Sequence, residues 1–76
     1  MQDFIEMLTD IRPDIDFESQ TGLIDKGLLN SFDIVTIIAE VDDNFGVTIP
    51  AEEILPENFN SAESLYALVE RLSNGI

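Results

Sequence analysis

The chain contains no cysteine, no histidine and no tryptophan. The groups able to do covalent chemistry are therefore hydroxyls, carboxylates and three cations, Arg12, Lys26 and Arg71. A serine nucleophile would have only lysine or carboxylate to take its proton, and the sole lysine, Lys26, reads as a solvated loop charge. The run DIDFE at residues 14–18 imitates the start of a calcium loop. Its sixth position is Ser19 where the turn needs glycine, and its twelfth is Asp25 where a bidentate glutamate belongs, so no metal site is expected. The remaining carboxylates read as solvated faces, and no catalytic residue is assigned. This inventory argues against an autonomous catalyst. What is left is Ser31, in the stretch GLLNSFDIVTII at residues 27–38.

By local pattern Ser31 belongs to a helix start. Asn30 is a good N-cap, Ser31 the first helical residue, and Leu29 can staple to Ile34. That role alone would explain a serine here. The same geometry also suits a phosphate ester on the hydroxyl, because free N–H groups and the positive end of the helix dipole favour an anion. Advancing about 100° per residue puts Ile34, Ile37, Ile38, Val41 and Phe45 on one face, the expected core stripe. Phe32, Val35 and Ala39 fall opposite, bordered by Thr36, Glu40, Asp42 and Asp43. A second apolar stripe beside carboxylates, starting next to Ser31, predicts a contact surface, with burial of Phe32 under the preceding loop as the alternative.

The elements that must position this stretch follow from periodicity. DFIEMLTDI (3–11) sets Phe4, Met7, Leu8 and Ile11 on one helical face, closed by Pro13. The connection at residues 13–29 carries Ile15, Phe17, Leu23, Ile24 and Leu28, too apolar for a free linker, and predicts a structured loop. Helix two is expected over residues 31 to about 44, stopped by Gly46. Val47 and Ile49 alternate into Pro50, AEEILPENF (51–59) holds one or two short turns with Pro56 in a first turn, and Ser61 caps a last helix with Leu65, Leu68, Val69 and Leu72 in one stripe. The expectation is an all-α bundle of three main helices with a short fourth and no sheet, formed by residues 1–76 as one domain.

At 76 residues and 45% hydrophobic content the chain can fold on a compact core but cannot enclose a large pocket. The absence of cysteine fits a reducing compartment. The first residues lack the basic and continuously apolar parts of a signal peptide, and no apolar run approaches the ~20 residues of a membrane span. A soluble, cytoplasmic, monomeric protein is expected, without membrane insertion. Sixteen acidic residues against three basic ones give a formal charge of −13, which repels nucleic acid and favours basic partner surfaces.

Taken together, these residues resemble the acyl and peptidyl carrier proteins over essentially the whole chain. Members of that family are small acidic helical bundles that carry 4′-phosphopantetheine on the serine of an Asp-Ser-Leu motif at the start of helix two. The motif stands here as Asn30-Ser31-Phe32-Asp33, preceded by LIDKGLL and followed by IVTIIAEVDDNFGVTIP and SAESLYALVERL at family-like spacing. The resemblance implies that Ser31 is the attachment site, that coenzyme A is the donor, and that the cofactor thiol carries cargo as a thioester. It also implies a phosphopantetheinyl transferase, an acyl- or aminoacyl-activating ligase and a downstream acyltransferase or synthase as partners. Docking is expected at Phe32, Asp33, Val35, Ala39, Glu40 and Asp43. Asn30 stands where the family has aspartate, Thr36 where fatty-acid carriers have glutamate, and Phe32 is bulkier than leucine. These departures look more like a stand-alone carrier for an aminoacyl-activating ligase, similar to D-alanyl or peptidyl carriers. The alternative is a carrier-like adaptor that binds enzymes through helix two and is never modified.

Overall fold

Apolar residues spaced three and four apart build the first helix, α1 (Gln2–Ile11), which buries Phe4, Met7 and Leu8 and leaves Asp3, Glu6 and Asp10 in solvent. The computed structural model describes residues 2–74. Helix α2 spans Ser31–Phe45, a single 3₁₀ turn follows at Ala51–Glu53, and α3 (Pro56–Phe59) and α4 (Ala62–Asn74) complete the order. The described residues form no strand. The architecture is the all-helical bundle expected, with α1 packed on α2 and α4, and α3 on α4.

The periodicities map closely onto burial. Ile37 and Val41 of α2 and Leu65, Leu68 and Val69 of α4 meet Phe4 and Leu8 in the core, where each fully buried side chain of this size contributes roughly 1.5–3 kcal/mol. Val47 and Ile49 are buried without pairing into a sheet, and Pro56 occupies the first turn of α3. Gly46 ends α2 at φ 67°, a left-handed conformation that glycine adopts without a Cβ clash, while its N–H satisfies Asp42 O. One residue departs from its expected place. Phe45, assigned to the core stripe, is 40% exposed and meets Phe4 at a tilt of 43°, with ring centroids 5.7 Å apart. It is the last residue of α2, and the chain turning at Gly46 brings Val47, not Phe45, into the interior.

The long connection is a structured loop. Ile15, Phe17, Leu23 and Leu29 are buried, with Ile24 and Leu28 packed against them. Asn60, between α3 and α4, holds this loop from the far side of the chain. Its carbonyl accepts Leu23 N–H at 2.8 Å, and its side-chain oxygen accepts Ile24 and Asp25 N–H at 3.0 and 3.1 Å. Gly27, at φ 70°, then turns the chain so that Leu28 and Leu29 N–H both reach Leu23 O. The loop thereby delivers Asn30 to the start of α2 in a fixed orientation.

Candidate functional site: the N-terminus of helix α2

Asn30 is extended (φ −105°, ψ 177°) and caps α2 by accepting Asp33 N–H on its side-chain oxygen at 2.9 Å. Asp33 returns the bond by accepting Asn30 N–H at 3.1 Å, closing a capping box. The first intrahelical bond is Ile34 N–H to Asn30 O. Two of the helix's opening donors, the Ser31 and Phe32 N–H groups, lie before that bond and outside the box. Ser31 itself is exposed at the first helical position. An exposed primary hydroxyl thus stands beside two open backbone donors at the positive end of a 15-residue helix. That is the chemistry a phosphodiester needs, so these residues fit a phosphate-linked group on Ser31.

The outer face of α2 carries the second stripe. Phe32 is 79% exposed and Val35 67%, with Ala39 and Asp43 also in solvent, so Phe32 is not folded under the loop. Glu40 is half-buried, accepts a bond from Asn44 and lines the acidic groove between α1 and α2 with Asp3, Glu6 and Asp10. Asp33 has a different place from the one the sequence reading gave it. Expected among the docking carboxylates, it is only 8% exposed and is ion-paired to Arg12. The helical repeat explains this, because Asp33 follows Phe32 by about 100° and so turns off the outer face. Its carboxylate is therefore committed inside the domain and is not a free steering charge.

Arg12 is the neighbour of this helix start that sequence reasoning missed. Its guanidinium binds Asp14 through two nitrogens at 3.0 and 2.8 Å, and Nη1 reaches Leu28 O at 3.1 Å and Asp33 Oδ2. The bond to Asp14 foremost holds the guanidinium still more firmly in its charged form; burial opposes this, and Asp33 adds to it. Arg12 in turn holds the Asp14 carboxyl below its usual range. Its scarcity was a signal, since it is one of three cations in an acidic chain. Its partner lies 21 positions away, beyond any local pattern. Of the box at this helix start, the sequence reading had only the Asn30 cap; its return bond to Asp33 is seen in the structure.

Beside this helix start, Ile24, Ile34, Ile54, Leu55, Pro56 and Phe59 line a small apolar hollow of about 130 Å³. Among the described residues no group of three or more carboxylates is arranged to hold a metal ion, and no helix is long and apolar enough to cross a membrane.

Comparison with known proteins agrees with this geometry. Residues 3–72 match the family described as "Phosphopantetheine attachment site", and the chain belongs to that family of carrier domains. A curated relative is Aminoacyl carrier protein 1 of Bradyrhizobium diazoefficiens, 44% identical over 54 residues, which are 71% of this chain and 59% of that protein. The chain therefore matches about three fifths of the length of that relative.

Proposed function

We propose that the chain is an aminoacyl carrier protein whose Ser31 Oγ bears 4′-phosphopantetheine. The observation that carries this reading is the exposed Ser31 hydroxyl next to the two open N–H donors of Ser31 and Phe32. In the modification, Ser31 Oγ forms a bond to the pantetheine-side phosphorus of coenzyme A. The diphosphate P–O bond breaks, adenosine 3′,5′-bisphosphate leaves, and the serine proton is lost. The chain has no histidine, and Asp33 is bonded to Arg12 and Asn30, so a base on the transferase takes that proton. Ser31 and Phe32 N–H are the donors that can hold the product phosphate. The bound group supplies the thiol this cysteine-free chain lacks, and that thiol holds an aminoacyl group as a thioester.

The protein thus acts as substrate and tether, keeping cargo at high effective concentration for successive enzymes. Its partners on this reading are a phosphopantetheinyl transferase, an aminoacyl-activating ligase and a downstream acyltransferase. The place of action is the cytoplasm, where coenzyme A is supplied. Phe32, Val35 and Ala39, with Asp43 among them, form the surface such enzymes grip. One observation favours an aminoacyl cargo over a long fatty chain: the named relative is an aminoacyl carrier.

Intact mass after incubation with coenzyme A and a broad-range phosphopantetheinyl transferase tests the reading. The expected result is a gain of one phosphopantetheine, abolished by Ser31→Ala. Modification elsewhere would refute the assignment of Ser31. No modification by several competent transferases would favour the unmodified adaptor.

A further inference from the structure

Arg12 is the first residue beyond α1, and its N–H still bonds Leu8 O at 3.0 Å, so its backbone is fixed to that helix. From there its guanidinium spans three segments: the turn at Asp14, the loop end at Leu28 O and the first turn of α2 at Asp33. The stretch it holds is tied at nearly every residue. Leu28 and Leu29 N–H bond Leu23 O, and Asn30 and Asp33 bond each other. Ser31 and Phe32 are left as the outward pair in a fixed frame.

Charge gives the arrangement a second consequence. Arg71 is paired with Glu53 and Lys26 reaches Gln20, both outside the α2 start, so Arg12 is the cation placed at the helix opening. Its partner Asp33 is a carboxylate two positions from the hydroxyl that must meet the diphosphate of coenzyme A. Unpaired, that buried charge would both strain the fold and repel the donor.

We propose that Arg12 is a positioning residue for the modification of Ser31, locking the first turn of α2 to the preceding loop and cancelling the Asp33 charge beside the attachment point. The proposal rests on Ser31 being the attachment site. It extends that reading to a residue remote in sequence, which touches neither the hydroxyl nor the donor in any bond described above.

The test compares Arg12→Met, Arg12→Lys, the double variant Arg12→Met with Asp33→Asn, and Arg71→Met as a control that removes the other arginine's ion pair. Two quantities are measured: the rate of phosphopantetheinyl transfer from coenzyme A per folded molecule, and amide hydrogen exchange in the unmodified protein. Arg12→Met is expected to lower kcat/KM for transfer about tenfold, a fraction of the hundredfold that a misplacement of about 1 Å can cost. Exchange at Asp33 and Ile34 should quicken while that at Leu65 in α4 holds. Arg12→Lys should regain part of the rate by restoring the charge without the fork, and Arg71→Met should match the wild type. If Arg12→Met does not fold, the double variant, which leaves no unpaired buried charge because the remaining partner Asp14 is exposed, carries the comparison. Wild-type transfer rates in the Arg12 variants, or an equal loss in Arg71→Met, would reduce Arg12 to a stability role and overturn the proposal. If the wild type itself is not modified at Ser31, the attachment reading fails instead. Unchanged exchange at Asp33 and Ile34 would then still refute the lock.

Discussion

At the start of α4, Ser61 Oγ accepts Ser64 N–H at 3.0 Å and Ser64 Oγ accepts Ser61 N–H at 3.2 Å. At the start of α2, Asn30 and Asp33 exchange the same two bonds at 2.9 and 3.1 Å. The residue that follows the cap differs. Ala62 is 2% exposed and packs into the core, whereas Ser31 stands in solvent. The α4 box is made of neutral hydroxyls, with Ser64 Oγ also donating to Asn58 O. The α2 box contains a charge and is tied through it to Arg12. A capping box therefore does not determine whether a helix start is structural or functional. Where the next residue is pinned by the core, a neutral box suffices. Where it must stay exposed and still hold position, the anchoring comes from behind, here from an arginine on another helix's end.

Exchanging the roles of the two starts should produce the largest contrast. Ser31→Ala should eliminate phosphopantetheine loading while shifting stability by no more than about 0.5 kcal/mol. Ser61→Ala should do the reverse, costing about 1 kcal/mol of stability and leaving loading per folded molecule intact. Intact mass and thermal midpoint together read both arms. Enlarging the two first helical residues comes next. Ala62→Leu overfills a closed site and should destabilise by roughly 1–3 kcal/mol, whereas Ser31→Leu projects into solvent and should leave the midpoint nearly unchanged. A large loss at Ser31→Leu would mean that the α2 start is closed as well.

Phe32→Ala probes the exposed neighbour. With the ring 79% in solvent, unfolding should hardly change, while dissociation of a cognate ligase or transferase should quicken by about 1–2 kcal/mol if the ring anchors the interface. A fall in the thermal midpoint without loss of affinity would break the distinction between the outer and inner faces of α2. The smallest effect concerns the ion pair of Arg71 with Glu53. Arg71 holds the Glu53 carboxyl below its usual range. The stabilisation linked to that shift is complete above the ordinary glutamate range and is lost as pH falls through the depressed folded value. Midpoints of Arg71→Met and wild type should therefore differ slightly near neutrality and converge on acidification. Divergence in acid would show that Glu53 is not the group responsible.

The bundle itself was legible because its signals are local. The stripe Phe4, Met7 and Leu8, the stop at Gly46, the turn at Pro56 and the cap at Ser61 each lie within a few residues of what they determine. The exposed stripe of Phe32, Val35 and Ala39 came from the arithmetic of helical repeats, whereas Ser31 came from the cap pattern around Asn30 and, as an attachment site, from the family resemblance. Asp33 was misplaced because its charge suggested solvent, while its fate was decided by a cation 21 positions earlier. Phe45 was misplaced because the helical wheel does not register that it is the last residue of α2, where the chain turns at Gly46 and leaves the ring partly in solvent against Phe4. Periodicity assigns a side of a helix. It does not say what waits on that side.

The bonds from Asn60 to Leu23, Ile24 and Asp25 have a consequence for the order of folding. They close a long stretch of chain, with a loop-closure entropy that must be met before the contacts reward it, and such non-local contacts tend to form late. During synthesis Ser31 leaves the ribosome well before Asn60. A nascent chain that has not reached Asn60 can begin to wind α2, but the loop that orients the helix start still lacks its far anchor. Presentation of the serine is thus coupled to completion of a distant segment. The fold thereby completes the ordered setting of Ser31 only once most of the domain has been made.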